Sequence, residues 1–285
     1  MVRKLEADDF RAIRMVLEPD DFALTDGEPD PPPSDLVNSE VWHGIMDLAD
    51  HVAIQTTSHQ GNRIGVLSEL SSAWVEAAPV GCVLSYAMMA CLEDFNASVF
   101  TLLHGFYRQS VGTLRSALEM MVFACLCLVN NDPGEWDQLE RGKREIEFQK
   151  CRHKLRQTSG FRTLEENAKM ATGQNLFTDR SGADPGGWVT SLHFRLSQFI
   201  HAGGPTSNGS MWESNGPVYS ARGMKAAYQS YLETYALVLL LANVADRSLG
   251  IPDKVQYLFS YDSRRRYLPV RFRKLCRFVQ RSVSQ

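Results

Sequence analysis

The stretch Val83–Val129 (VLSYAMMACLEDFNASVFTLLHGFYRQSVGTLRSALEMMVFACLCLV) narrows the folds open to this chain more than any other. It contains no proline and reads as one long apolar helix or two stacked ones. At about 100° per residue, Asp94, Ser98, Thr101, Gly105, Arg108, Gly112, Arg115, Ser116 and Glu119 fall on one narrow stripe. The other faces carry Val99, Phe100, Leu102, Leu103, Phe106, Val111, Leu114, Leu118, Met120 and Met121. Ionised groups are tolerated in an interior only when they have partners. The stripe therefore marks either the wall of a site or an ion-pair network that holds a bundle together. Arg115 and Glu119 have the i,i+4 spacing of an intrahelical pair.

Helical patterning continues on both sides. Helices are expected at about 38–56 and 62–77, separated by the polar Thr57–Asn62. The cluster Asn130-Asn-Asp-Pro-Gly134 ends the apolar stretch. Residues 134–158 are densely charged and read as a solvated helix. A weak helix follows, then the Gly-, Asp- and Ser-rich loop Thr172–Gly187, of a length that is usually functional or mobile. Helices return at 188–202 and 222–248, around the glycine-rich 203–217, and one more is expected near 269–282. Val255–Tyr261 is the one segment with a trace of strand period. The class is all-α: a helical bundle with long central apolar helices. Its domains are an acidic Pro-rich arm (1–38, with Pro31-Pro-Pro33), a helical bundle (39–252) and a basic tail (253–285).

Charge is divided unevenly along the chain. The arm carries four Lys or Arg against ten Asp or Glu, and the tail nine against two. Such asymmetry points to contact between the two ends, to a protein partner for either, or to a polyanion on the tail. The six cysteines, Cys82, Cys91, Cys125, Cys127, Cys151 and Cys276, form no CxxC pair and read as reduced thiols. With a charged N-terminus and apolar runs at 120–131 and 234–245 too short for a bilayer, no membrane span and a cytoplasmic location are expected.

The segment Trp188-Val-Thr-Ser-Leu-His-Phe-Arg-Leu-Ser-Gln-Phe-Ile-His-Ala-Gly-Gly204 places Arg195 six residues before His201. A histidine exchanges protons near neutral pH, and an arginine clamps a phosphate with a planar fork. This spacing resembles the Arg-x(4–6)-His pattern of HEPN-type helical ribonucleases. His104-Gly-Phe-Tyr-Arg-Gln-Ser-Val-Gly-Thr-Leu-Arg-Ser-Ala-Leu-Glu119 and Leu196-Ser-Gln-Phe-Ile-His-Ala-Gly203 together are similar to a group of uncharacterised bacterial all-helical proteins, over roughly residues 40–250. The second resemblance brings no activity with it. The first implies metal-independent RNA cleavage, with Arg195 on the scissile phosphate, His201 moving the proton, and a second subunit completing the site. It implies an effector of toxin or phage-defence type. Where HEPN enzymes usually place a polar residue after the arginine, this chain has Leu196. The plain alternatives are that Arg195 pairs with an acid such as Glu119 and that His201 caps its helix.

His193, two residues before Arg195, is expected to face away, and His153 to lie on a solvated surface. No HExxH, P-loop, GxGxxG or GxSxG occurs, so neither a cofactor nor a metal is expected, a metal site assembled from separate helices being the open alternative. In the tail, Arg264, Arg265, Arg266, Arg271, Arg273 and Lys274 alternate with Tyr267, Phe272 and Phe278. That mixture suits RNA, a membrane surface, an acidic partner or a solvated terminal helix. A homodimer is expected, with Gly105 and Gly112 as low points where a partner helix packs. The leading functional expectation is an endoribonuclease or RNA-binding effector. The second is a non-enzymatic helical assembly or partner-binding module, and a third is a hydrolase or nucleotide-modifying enzyme with an unrecognised site.

Overall fold

A computed structural model describes residues 39–77, 82–181, 184, 186–200, 216–249 and 252–255, with four tail residues (Lys274, Arg277, Phe278 and Arg281). The chain divides into two compact units, 1–44 and 45–285, and the second holds the bundle. The described residues are overwhelmingly helical. The helices are α1 (Ser39–Ala77), α2 (Val83–Leu103), α3 (Tyr107–Val129), α4 (Pro133–Glu140), α5 (Phe148–Gln157), α6 (Ser159–Thr172), α7 (Trp188–Ile200) and α8 (Ala221–Ala245). The extended pairing among the described residues is a single bridge between Ser181 and Asp184. The fold is an all-α bundle, as its sequence pattern requires.

The apolar stretch is two helices, folded back on each other at His104-Gly-Phe106. Gly105 sits at φ +81. Phe106 N–H donates to Thr101 O (2.8 Å) and Gly105 N–H to Leu102 O (3.1 Å). These are the two bonds of a Schellman cap, whose left-handed residue is cheapest as glycine. Across the hairpin the Ser98 and Ser110 hydroxyls lie 3.0 Å apart, and Cys91 Sγ reaches Ala117 O at 3.4 Å. Both pairs have the same sum of residue numbers, the register of an antiparallel hairpin. The continuous stripe drawn on one helix is thus broken. Ser98 becomes part of the α2–α3 seam, while Arg108, Arg115 and Glu119 stay together on α3.

Asp94 also belongs to this seam, where the Ser116 hydroxyl bonds its carboxyl. Burial pushes that carboxyl up to about 6; the Ser116 bond opposes the rise and the neighbouring Glu93 adds to it. Folding therefore favours the protonated acid. Its contribution is full below the ordinary value of 3.8 and is lost as pH rises through 6. Asp94→Asn, which cannot ionise, is expected to melt above the wild type at pH 7, with the gap closing below pH 4. Identical melting curves at both pH values would refute the assignment.

The Asn130–Gly134 cluster performs two tasks. Asn131 takes a left-handed conformation (φ 52) and ends α3. Asp132 caps α4, its carboxylate accepting from Glu135 N–H at 3.3 Å, and Pro133 fills the first turn. The break expected at 57–62 is a kink at Gln60 within α1, not a loop. The solvated helix expected over 134–158 is instead two short helices, α4 and α5. Their apolar residues Trp136, Phe148, Cys151 and Leu155 are buried.

Helix α3 is central, packed against α2, α4, α5, α7 and α8. The second half of α1 closes one side. Trp74 donates its indole N–H to Met88 O at 2.7 Å and meets Phe95 and Tyr235 edge-on. Tyr231 and Tyr235 of α8 reach back to Ser71 and Leu70 O. Among the described residues α3 is the one helix long and apolar enough to cross a membrane. The expectation from the shorter run 120–131 did not count its full length. It is also the core of the bundle, with Val111, Leu114, Leu118, Met121 and Val122 fully buried. Cys82, Cys91, Cys125, Cys127 and Cys151 are free thiols. Cys276, most of 256–285, and the arm 1–38 lie outside the described residues.

Candidate functional site

Helix α7 carries Arg195, and the surrounding chain fixes it at both ends. Three N–H groups at its start find backbone carbonyls in the preceding loop: Gly187 on Thr178 (3.0 Å), Trp188 on Asn175 (3.0 Å) and Val189 on Leu176 (2.9 Å). This approach needs a glycine, because a Cβ on Gly187 would overlap the Leu176 carbonyl. The loop is itself pinned at Phe177. Its N–H donates to Glu165 at 2.8 Å, and its carbonyl accepts from Arg152, which also holds Asp179. The middle of a loop that reads as mobile is therefore core, with Phe177 fully buried.

The α3 stripe docks α7. Arg108 Nε donates to Phe199 O at 2.7 Å, bonding a backbone carbonyl near the end of the described helix. Glu119 Oε1 accepts from Arg115 Nε at 2.6 Å and from His193 Nε2 at 2.7 Å. The proton of the second bond lies on the imidazole, since the acid is ionised: burial alone would raise the Glu119 pKa, but the His193 and Arg115 bonds and charges outweigh it and hold the carboxyl below its usual value. Phe148, at the start of α5, stacks flat on the imidazole with ring centroids 3.7 Å apart. His193 does point away from Arg195, but onto Glu119 rather than to nothing. With its Nε2 and one ring face occupied, it fastens α7 to α3.

Arg195 points the other way, toward α8, where it pairs with Glu233 and not with Glu119. The Glu233 side chain is only 8% exposed, whereas Arg195 stays 44% exposed. Glu233 Oε1 has no hydrogen-bond partner among the described residues. The guanidinium is thus anchored through Nη2, on a side chain that stays part-exposed. Leu196, after it, is fully buried, so the departure from the polar HEPN position is a core residue.

His201 lies outside the described residues, as do Arg264, Arg265, Arg266, Arg271 and Arg273 of the tail. Lys274 is exposed. The low points expected to receive a partner helix are filled from within the chain. Ile200 of α7 lies over Gly112, and Val218 with Val52 crowds Gly105. Among the described residues no group of three His, Cys, Asp or Glu side chains is placed to hold a metal ion.

Two residues escaped the sequence reading. Glu233 had a signal, being the one charge between Lys225 and Asp246 in an otherwise apolar helix. Phe148 had none, because its partner His193 is distant in sequence. Comparison with protein-family models, with curated proteins and with solved structures finds no match.

Proposed function

We propose that this chain acts on RNA in the cytoplasm, as a metal-independent endoribonuclease or RNA-binding effector of toxin or phage-defence type. One observation supports the reading above the others: Arg195 is anchored by a buried carboxylate and stays part-exposed, on a helix docked to α3 through Arg108 and His193, with His201 six residues further on in the sequence. An arginine held in this way keeps a rigid donor fork for a phosphate at little entropic cost. In the proposed step the 2′-oxygen attacks the adjacent phosphorus and the bond to the 5′-oxygen breaks. His201 handles the proton at the 2′-hydroxyl or at the leaving oxygen. Arg195 stabilises the charge building on the non-bridging oxygens. The products are a cyclic phosphate end and a 5′-hydroxyl end. Purified chain incubated with mixed RNA in EDTA is expected to yield those ends; intact RNA at stoichiometric protein would defeat the nuclease, and no RNA binding by anisotropy would defeat the whole reading.

A second reading, a helical assembly or partner-binding module, has its own observation. Tyr86, Met89 and Phe100 share the outer side of α2 at 56%, 45% and 64% exposure. Large apolar groups aligned in this way suit a partner surface. With this surface as the contact, the chain is expected to be a homodimer at micromolar concentration by light scattering. Tyr86→Asp with Phe100→Asp is expected to give a monomer. A monomeric wild type would remove this support.

A further inference from the structure

The strongest unassigned feature is a cleft of about 630 Å³ between α5, α6 and the loop after α6. Helix α5 carries Lys150, Arg152, Lys154 and Arg156 and no acid. Arg152 turns inward to hold the loop, leaving the other three cations outside. Arg156 and His153 reach the cleft from α5, and Arg162 and Lys169 from α6. Arg162 and Lys169 are seven residues apart, two turns along one face and about 10 Å in rise.

The charge balance of the cleft favours an anion. Glu165 lines it with one oxygen accepting from Phe177 N–H at 2.8 Å; the other makes no hydrogen bond among the described residues and lies 3.4 Å from Arg156, whose charge it offsets. Arg162 gives one N–H to the Gln157 carbonyl at 3.0 Å. Neither Arg162 nor Lys169 makes an ion pair among the described residues. Glu166, exposed on the same helix, is the opposing charge. Asn175 and Thr178 line the cleft from the loop, and both side chains are neutral and able to hydrogen-bond. Cations together with amide and hydroxyl groups are what phosphate and sugar contacts use.

We propose that this cleft is a phosphate-binding subsite that takes the backbone of an RNA strand. The assignment of RNA rests on the function proposed above; the assignment of phosphate does not. The test uses the full chain, a fluorescein-labelled single-stranded RNA read by anisotropy over a salt series, and pyrophosphate and polyglutamate as competitors. Arg162→Glu with Lys169→Glu is expected to weaken RNA binding at least about tenfold and to lower the log–log salt slope by about two. Glu166→Gln, which removes the opposing charge and needs no refolding, is expected to tighten it. Pyrophosphate is expected to compete, and polyglutamate is not. If the chain binds pyrophosphate but no RNA, and the double reversal abolishes pyrophosphate binding, the subsite stands and the RNA reading falls. Wild-type affinity in both variants, displacement by polyglutamate alone, or binding of neither phosphate ligand overturns the proposal.

Discussion

Arg195→Ala and His201→Ala are each expected to abolish detectable RNA cleavage, a loss on the order of 10²–10⁴-fold from removing a positioned proton carrier or its electrostatic partner. The two variants should differ in stability. Arg195→Ala strands the buried Glu233 carboxylate, which costs roughly 1–3 kcal/mol. Lost activity in that variant alone would therefore be ambiguous. Arg195→Ala combined with Glu233→Leu separates the two causes. It replaces the stranded charge with an apolar group, so stability should recover while cleavage stays absent. Arg195→Lys tests the fork, retaining the charge and much of the stability but losing bidentate geometry. Circular dichroism melts and product-end analysis on all four variants decide the matter. A double variant that regains cleavage along with stability would make Arg195 structural.

How much of this was legible in the sequence differs from element to element. The central position of α3 followed from apolar residues on most of its circumference, a signal that survives any choice of neighbours. The α2–α3 turn was less visible. Gly105 lay on the stripe and looked like a low point for packing, when its role is a left-handed cap. Periodicity alone cannot tell a glycine that receives a neighbour from one that reverses the chain. The stripe's pairing with α7 was out of reach for another reason. His193 and Glu119 are far apart in sequence, and nothing local states that Arg108 will satisfy Phe199 O rather than an acid. Glu233 was readable as a lone charge demanding a partner, but not which partner. The charged 134–158 segment misled because a high density of charge concealed Trp136, Phe148, Cys151 and Leu155, few in number but all buried. Arg152 misled similarly, as a cation that serves the interior.

Gly105→Ala is expected to be among the most destabilising single methyl additions in this protein. Two costs combine there. The left-handed backbone at φ +81 opposes any side chain by about 1–2 kcal/mol. The new Cβ would also press on the Val218 carbonyl oxygen while standing 2.7 Å from Val218 N and 2.8 Å from Val52 Cγ1. Overpacking of this kind costs typically about 1–3 kcal/mol, and backbone atoms cannot turn aside as a side chain would. A total of roughly 3 kcal/mol corresponds to a fall in melting temperature of about 6–12 °C in a protein of this size. The effect should extend to the site. Val218 belongs to the strip leading into α8, where Ser220 N–H donates to the Tyr107 hydroxyl at 3.0 Å and Ser220 caps the helix that carries Glu233. Val52→Ala on the Gly105→Ala background is the control. It removes the side-chain clash and leaves the backbone clash, so it should restore only a small part of the loss. Full restoration would place the cost at Val52, and wild-type melting of Gly105→Ala would mean that the hairpin closes without a left-handed residue.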